Sequence, residues 1–260
     1  MPAWARFLST AGREGFGRLD AGRLEEYEGE LFGAPRPTGR ALEPGSFALL
    51  SPCAPGKLLA LWNNFHALAA KLAKQAPKHP LYLIKASSCV VGPDAAIKRP
   101  AGYGGKIAFE GELGIVIGRI CERVAAADAH RYIFGYTCVN DVTASDVLSE
   151  NPDFPQWTRC KSFDTFGCLG PVIATDFDWA AAHVVTLVDG VERQNYPLAD
   201  MIFTPDELVS RLSHDMRLLP GDVIACGTSL GLGSLKAGSR VEIRIAGIGT
   251  LANVLAADAA

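Results

Sequence analysis

The stretch Lys106–Arg119 reads KIAFEGELGIVIGR, and its alternation of residue types decides what kind of fold the chain forms. In a β-strand, successive side chains point to opposite faces of the sheet. One face of this predicted strand, beginning at Phe109, is mainly apolar. The other face carries Glu110 and Glu112 two positions apart. The pattern predicts a strand with one buried side and a pair of neighbouring carboxylates on the other.

Two neighbouring carboxylates repel each other if they are buried together. Water, protonation of one carboxyl or a cation between them relieves the repulsion. A solvated edge strand uses the first remedy, and a metal site uses the third. This strand alone leaves both interpretations open.

Most other segments also favour strands, because β-branched and aromatic residues stand between Gly, Asp and Pro turns. These segments are 131–141, 168–175, 183–195, 222–229 and 239–255. The sum predicts an α+β chain that is mostly β, rather than an alternating βαβ chain.

Three segments interrupt the strands with helical signals. The sequence predicts helices over 65–74, with Asn64 as N-cap, over 125–133 and over 204–218. In the last of these, Thr204 caps and Glu207 stands three positions later, which is the pattern of a capping box.

The first 54 residues differ from the rest of the chain. They carry short strand signals separated by Gly-rich turns, and the Pro- and Gly-rich segment 42–57 ends them. We predict a small N-terminal module over 1–54 and a catalytic domain over 55–260.

Composition excludes several classes of protein. Of 260 residues, 48% are hydrophobic, which supplies a sizeable core, and the formal net charge of -3 without a basic run argues against nucleic acid. The apolar stretches are strand-sized and the N-terminus lacks a signal peptide's apolar region, so we expect a cytoplasmic protein without a membrane partner. The seven cysteines are odd in number and scattered, which argues against a disulfide framework or a structural zinc site.

Asp141 ends a predicted strand in the segment YTCVNDVTASD, at residues 136–146. A carboxylate there is either an ordinary turn residue or a third member of a cluster with the two glutamates. An all-oxygen cluster of this kind suits Mg²⁺ or Mn²⁺.

Two cations lie among aromatic residues in the segment QWTRCKSFDTFGCLGP, at residues 156–171. Arg159 and Lys161 are either surface cations packed on aromatic rings or groups that hold a carboxylate-bearing substrate.

The segment CGTSLGLG, residues 226–233, contains G-x-S-x-G, a pattern of serine hydrolases. That architecture requires a histidine after the serine. The histidines stand at 66, 79, 130, 183 and 214, all before Ser229. We therefore interpret the segment as a glycine-rich turn.

Five segments in this order resemble the fumarylacetoacetate hydrolase family: EGELGIVIG, GYTCVNDVTASD, WTRCKSFDTFGCLGP, DMIFTPDELVSRLS and LPGDVIACGTSLGLG. The resemblance runs from about Lys57 to the C-terminus. It implies a rolled mixed β-sheet with a small N-terminal module, a homodimer and bound Mg²⁺ or Mn²⁺. It also implies a small-molecule 2-oxo or 1,3-dioxo carboxylate substrate, often from aromatic catabolism.

The resemblance also implies the roles of individual residues. Glu110, Glu112 and Asp141 match the metal ligands, and Lys161 matches the active-site lysine. Gln194 and Thr228, with the neighbouring Gly227, match positions that face the substrate. The metal would chelate the substrate's 1-carboxylate and 2-oxo oxygens, and Lys161 would stabilise the developing negative charge.

The chain departs from hydrolytic members of the family at the residues that activate water. Those members resemble G-R-N-Y-x-x-H-x-x-E, but here Leu68 and Lys71 stand at the His and Glu positions. His66 lies two residues before position 68, about 200° away on a helix, and stays a candidate catalytic residue. Arg159 is a candidate substrate contact that compensates for Ser145 and Leu148, which replace an Arg and a Gln.

Three functions follow from the resemblance and its departures. The first is metal-dependent C–C bond cleavage, as in an acylpyruvate or fumarylacetoacetate-like hydrolase. The second is decarboxylation or isomerisation of a 2-oxo acid, as in a 2-hydroxyhepta-2,4-diene-1,7-dioate isomerase. The third is a metal-binding family member with weak or no turnover.

Overall fold

The structure is a computed structural model that describes residues 3–257. Its first ten strands are β1 (Ala3–Ser9), β2 (Glu14–Asp20), β3 (Arg23–Glu28), β4 (Arg36–Leu42), β5 (Phe47–Leu49), β6 (Leu58–Trp62), β7 (Leu81–Lys85), β8 (Val90–Val91), β9 (Ala96–Ile97) and β10 (Ile107–Phe109). The others are β11 (Gly111–Ile117), β12 (Ile133–Asp141), β13 (Thr143–Ala144), β14 (Gly167–Ala174), β15 (His183–Val188), β16 (Val191–Pro197), β17 (Val223–Ala225), β18 (Gly233–Leu235), β19 (Arg240–Ile245) and β20 (Gly249–Leu255).

Helices are short by comparison. The α-helices of the described chain are α1 (His66–Lys71), α2 (Trp157–Lys161) and α3 (Pro205–Asp215). Its 3-10 helices are Ser87–Cys89, Ala126–Tyr132, Ser145–Ser149, Trp179–Ala181 and Leu198–Asp200. The prediction of an α+β chain that is mostly β is confirmed.

The strands form three sheets. The largest has twelve strands in the order β4-β3-β2-β1-β14-β12-β11-β17-β6-β7, with β5 on β1 and β8 on β14. A three-stranded sheet has the order β13-β10-β18, and a five-stranded sheet has the order β16-β15-β19-β20-β9.

The large sheet curls into a roll. Strand β7 leads through the 3-10 helix Ser87–Cys89 into β8, and β8 pairs in parallel with β14. Strand β7 lies at one end of the run from β14 to β7. The chain that follows it therefore returns to β14, at the other end of that run. One buried cluster, which includes Leu58, Val116 and Val139, lies on one face of these strands. Glu112 lies four residues before Val116, and Asp141 lies two residues after Val139. Residues an even number of positions apart on a strand share a face, so both carboxylates point to the face of this cluster.

The N-terminal strands extend this sheet. β1 to β4 form an antiparallel meander, and β1 joins the rest of the chain by pairing with β14 through Trp4 and Ile173. The boundary between modules at residue 54 stays a prediction.

All three predicted helices differ in the structure, and the one expected over 204–218 ends at Asp215. The helix expected over 65–74 runs over His66–Lys71, and Phe65 rather than Asn64 is its N-cap. Asn64 is buried, and a buried amide requires hydrogen-bond partners. Its Nδ2 donates to the Cys226 carbonyl at 2.9 Å, and its Oδ1 accepts from the N–H of Phe203 at 2.9 Å. The helix expected over 125–133 is a 3-10 helix over Ala126–Tyr132.

The capping box at the start of α3 is confirmed. The Thr204 hydroxyl accepts from the N–H of Glu207, and the Glu207 carboxylate accepts from the N–H of Thr204 at 2.9 Å. All seven cysteines are free and buried.

Glu26 on β3 gives a test of the N-terminal meander. Its buried carboxylate accepts hydrogen bonds from Arg40, at 2.8 Å, and from Arg13. The hydrogen bond from Arg40 is the main cause that lowers the pKa of Glu26 below its ordinary value of 4.5.

We expect Glu26→Gln to lower the Tm by a few degrees at pH 7. A group with a lowered folded pKa stabilises above its unfolded pKa, so the difference should vanish as the pH falls through the folded pKa. Thermal melts from pH 7 to 3 measure it, and a difference that does not shrink as the pH falls below 4.5 would contradict the ionic explanation.

Candidate active site

Three carboxylates meet at one end of the hairpin formed by β11 and β12. Glu110 precedes β11, Glu112 lies on it, and Asp141 ends β12. One oxygen from each lies within 4.8 Å of the others. The N–H of Asp141 donates to the Glu110 carbonyl at 2.9 Å, and the N–H of Glu110 donates to Asn140 Oδ1 at 3.1 Å, so the backbone fixes the cluster.

Lys161 enters this cluster from the last turn of α2. Its Nζ donates to Asp141 Oδ2 at 2.6 Å, to Glu110 Oε2 at 3.0 Å and to the Thr143 hydroxyl at 2.7 Å. Burial alone would lower the pKa of Lys161, but the surrounding carboxylates raise it above its ordinary value. The amine is therefore an ammonium that serves as a hydrogen-bond donor.

Lys85 is a second buried cation that sequence reasoning missed. It ends β7 with 1% of its side chain exposed, and its Nζ bonds Asp141 Oδ1 and the Phe166 carbonyl, the latter at 2.8 Å. The sequence marks Lys85 by the strand face on which it lies. In LYLIK, Lys85 shares a face with Leu81 and Leu83, and a charge on an apolar strand face requires a partner.

The charges in the cluster do not balance. Three carboxylates stand against two ammoniums. Burial and the neighbouring Asp141 and Glu110 raise the pKa of Glu112 well above its ordinary value. Burial would also raise the pKa of Asp141, but Lys161 and Lys85 outweigh it and lower that pKa. Glu112 is therefore the carboxyl that holds a proton most readily, and a cation bound there would take the place of that proton.

The donors of the cluster fit a hard divalent cation. Glu112 Oε2 accepts from the N–H of Gly227 at 2.8 Å, whereas its Oε1 is buried without a hydrogen-bond partner among residues 3–257. A buried carboxylate oxygen without a partner is costly. An oxygen-only set of carboxylates with one oxygen free is the ligand type that Mg²⁺ and Mn²⁺ prefer.

The backbone between the two glutamates is held by three side chains. The N–H of Gly111 donates to Gln194 Oε1 at 3.0 Å. Its carbonyl accepts from the Tyr196 hydroxyl at 2.5 Å and from the Thr228 hydroxyl at 3.0 Å. Gln194 Nε2 in turn donates to Thr228 Oγ1 at 2.8 Å. We call these residues, Gln194, Tyr196 and Thr228, the Gly111 clamp.

Gly111 itself has no room for a side chain. A Cβ at this position would lie 2.1 Å from Thr186 Oγ1 and 3.2 Å from Gln194 Oε1. The predicted substrate contacts Gln194 and Thr228 thus have their polar atoms bonded within the protein. Their contact with substrate stays a prediction, and their bonds to Gly111 are what the structure describes.

The glycine-rich turn contributes its backbone to the cluster. Gly227 has a φ of +88°, which favours glycine, and its N–H reaches Glu112. Ser229 is 0% exposed, and its hydroxyl has no hydrogen-bond partner in the described chain. A nucleophilic serine needs a base within reach, so the structure agrees with a turn rather than a nucleophile.

Tyr196 offers a test of the clamp. Tyr196→Phe removes one donor to the Gly111 carbonyl and keeps the ring that packs on Phe65. We expect the affinity for Mn²⁺ to fall about tenfold, the size of effect seen when groups that orient metal ligands are removed. Calorimetric titration measures it. Tyr82→Phe, which removes the exposed bond to Asp215, is the control. Equal Mn²⁺ affinity in both variants would show that the clamp does not position the ligands.

The other predicted residues lie outside the cluster. His66 is exposed at the start of α1. Leu68 is buried in the hydrophobic core, and Lys71 is exposed. Arg159 is about half exposed and pairs with Glu150 at 2.5 Å rather than with the carboxylates. The catalytic role of His66 and the substrate contact of Arg159 stay predictions.

Two family models match the chain. Residues 57–256 match the family model described as "Fumarylacetoacetate (FAA) hydrolase C-terminal", and residues 3–52 match "Rv2993c-like, N-terminal". The chain belongs to the fumarylacetoacetate hydrolase family. The predicted family is thus confirmed. Among residues 3–257, no helix has the length and apolar character that a bilayer span requires.

Relatives within the family carry several activities. A solved 2-hydroxyhepta-2,4-diene-1,7-dioate isomerase from Mycobacterium marinum is 35% identical, with a TM-score of 0.90 and all of both chains covered. The oxaloacetate tautomerase YisK of Bacillus subtilis is 34% identical over 75% of this chain and 68% of its own. A fumarylpyruvate hydrolase from Pseudomonas aeruginosa, solved with Mn²⁺ and pyruvate, is 25% identical, with a TM-score of 0.73 over 82% of this chain and 94% of that one. Family members of this kind are enzymes that act on oxo acids.

Proposed function

We propose that the chain is a divalent-metal-dependent enzyme that catalyses proton shifts in 2-oxo carboxylates, that is, keto–enol tautomerisation or the related isomerisation. The observation that carries the proposal is the Glu110, Glu112 and Asp141 cluster with Lys161 bonded into it, combined with the absence of a water-activating His/Glu pair at Leu68 and Lys71. The similar isomerase and tautomerase support this choice.

The three carboxylates would hold Mg²⁺ or Mn²⁺. Burial and the neighbouring carboxylates raise the pKa of Glu112, and a dication would offset both by binding its free oxygen. A bound divalent ion supplies a Lewis acid that stabilises negative charge on the substrate's oxygens. The similar hydrolase, solved with Mn²⁺ and pyruvate, supports both the kind of ion and the kind of ligand.

The chain's own residues supply the electrostatics of the proton shift. Tautomerisation moves one proton from C3 to the oxygen on C2, so substrate and product contain the same atoms. The Lys161 ammonium lies within the cluster and presents positive charge where an enolate would develop, which is the usual role of a preorganised donor. Glu110 is the partly exposed member, with 18% of its side chain accessible, and it lies where water can exchange protons.

Hydrolysis also requires a group that activates the attacking water. Attack of water on a carbonyl needs a general base within hydrogen-bond reach of that water. Leu68 offers no base, and the Lys71 side chain is exposed. A proton shift or decarboxylation through an enolate does not require an activated water that attacks carbon.

A substrate panel tests the proposal. Oxaloacetate tautomerisation, oxaloacetate decarboxylation and acylpyruvate hydrolysis would be measured with Mg²⁺, with Mn²⁺ and with a chelator. We expect metal-dependent tautomerisation that exceeds hydrolysis by at least about a hundredfold. Hydrolysis as the fastest reaction would overturn the proposal, whereas metal binding without turnover of any substrate would identify a binding protein.

C–C bond hydrolysis is the second candidate, favoured by the match to the FAA hydrolase model and by the similar fumarylpyruvate hydrolase. It would require His66 or another group to activate water. The double variant Leu68→His with Lys71→Glu reinstates the pair seen in hydrolytic members. A rise in acylpyruvate hydrolysis in this variant, together with a low rate in the original chain, would show that only the pair is missing. A His66→Ala variant with reduced hydrolysis would instead support hydrolysis through His66.

A further inference from the structure

Two carboxylates of the candidate active site each have one oxygen held by a neutral donor. The Thr143 hydroxyl donates to Glu110 Oε1 at 3.0 Å. The backbone N–H of Gly227 donates to Glu112 Oε2 at 2.8 Å. Thr143 lies on β13 and Gly227 in the glycine-rich turn, and both residues are buried. The surrounding fold therefore fixes the position of both donors.

The third carboxylate is held by a charged donor. Lys85 Nζ donates to Asp141 Oδ1, and the same ammonium donates to the Phe166 carbonyl at 2.8 Å. Lys85 ends β7 and its side chain is buried. A buried charge that loses its partner is costly, so this pair keeps Asp141 in one orientation.

The second oxygen of each carboxylate is the one that a cation can use. Glu112 Oε1 has no hydrogen-bond partner within residues 3–257. Glu110 Oε2 and Asp141 Oδ2 accept from one ammonium, that of Lys161, at 3.0 Å and 2.6 Å. A carboxylate oxygen has about two acceptor sites, so each of these oxygens can bind an ion beside Lys161. The cluster therefore offers a single oxygen from each carboxylate.

A single oxygen from each carboxylate favours a small ion. Mg²⁺ demands octahedral coordination and keeps several waters, whereas Ca²⁺ takes about six to eight oxygens, often from carboxylates that bind it through both oxygens. A carboxylate that binds in this way must turn both oxygens towards the ion. That rotation would break its bond to Thr143, Gly227 or Lys85.

We propose that Lys85 and Thr143 make the site selective for Mg²⁺ or Mn²⁺ over Ca²⁺, by restricting Asp141 and Glu110 to one ligand oxygen each. Both are positioning residues, because they act on the ion through the carboxylates. The proposal rests on the metal binding in the proposed function and adds the choice of ion.

The ratio of the Ca²⁺ dissociation constant to the Mg²⁺ dissociation constant tests the proposal by calorimetric titration. Thr143→Val keeps the shape of the side chain but removes the hydroxyl, which frees Glu110 Oε1. We expect this ratio to fall about tenfold, the lower end of the effect of removing a group that orients a metal ligand. Thr143→Ser retains a hydroxyl and should keep the ratio of the original chain.

Lys85→Met is the second variant, and it decides the test if Thr143→Val does not fold. It frees Asp141 Oδ1 and removes a positive charge. The lost charge should strengthen the binding of both dications, but the freed oxygen should lower the ratio. Lys57→Met breaks an ion pair with Asp222, outside the cluster, and should leave the ratio unchanged. A purely structural role of Lys85 would alter stability without altering the ratio.

The original chain should bind Mg²⁺ more tightly than Ca²⁺. Tighter binding of Ca²⁺, or the same ratio in the original chain, Thr143→Val and Lys85→Met, would overturn the proposal and leave the proposed function standing. Failure of the original chain to bind Mg²⁺, Mn²⁺ or Ca²⁺ would overturn the proposed function together with the proposal.

Discussion

Glu112→Gln is expected to lower the affinity for Mg²⁺ or Mn²⁺ by at least a factor of about a hundred, because it replaces a charged ligand by a neutral amide. The original chain should gain about 2.7 kcal/mol of unfolding free energy when the metal concentration is a hundred times the dissociation constant. The variant should gain almost none at the same concentration. Thermal melts with and without metal measure the difference.

The stability of Glu112→Gln without metal gives a second test, because its direction of change with pH follows from the pKa of Glu112. Burial and the nearby carboxylates raise the pKa of Glu112, so its ionisation costs stability in the folded state. That cost is absent at low pH and grows as the pH rises above the unfolded pKa, until the folded group has lost its proton. In a chelator, Glu112→Gln should therefore be at least as stable as the original chain at pH 8. Gln Oε1 can still accept from the N–H of Gly227, which limits other effects.

Glu150→Gln is the matched control, since it removes a carboxylate that is exposed and paired with Arg159. It should change neither metal affinity nor the pH dependence of stability. A metal-free Glu112→Gln that melts well below the original chain would mean that Glu112 is a structural carboxylate and not a metal ligand.

The fold was predictable where the signal is local. The strand at Gly111–Ile117 has regular alternation, and α3 begins with a capping box whose partners are three residues apart. The closure of the roll was not predictable from such patterns. It depends on β8, a strand of two residues, pairing with β14 far along the chain. The cap at Asn64 failed for the same reason, because its partners lie at Phe203 and Cys226.

The candidate site shows the same division. The spacing of Glu110 and Glu112 indicated adjacent carboxylates, and the family resemblance added Asp141 and Lys161, which the structure brings together. Lys85 belongs to no motif. It could be found only because it shares a strand face with apolar residues. The Gly111 clamp was hidden because its hydrogen bonds join residues 83 and 117 positions apart.

Lys161→Met should separate turnover from metal binding, in contrast to Glu112→Gln. Lys161 bonds Asp141, Glu110 and Thr143, and the carboxylates keep it protonated. Removing a preorganised donor from the site of developing charge lowers turnover by roughly a factor of 100 to 1,000. Metal affinity should not fall, because the cluster loses a positive charge and becomes more attractive to a dication. Steady-state kinetics at saturating metal and calorimetric titration of Mn²⁺ measure the two quantities.

The stability of this variant provides the check on folding. Without metal, Glu110 and Asp141 each lose a buried partner, which costs about 3–5 kcal/mol when an ion pair is broken on one side. A bound dication replaces the lost positive charge, so metal should restore most of the stability but little of the turnover. Lys57→Met, which breaks the 2.5 Å pair with Asp222 at the start of β6, is the control and should keep turnover within about twofold. Should Lys161→Met retain turnover at saturating metal but bind the metal more weakly, the lysine would act only by holding the carboxylates in place, and the source of catalytic charge would have to be sought at Lys85.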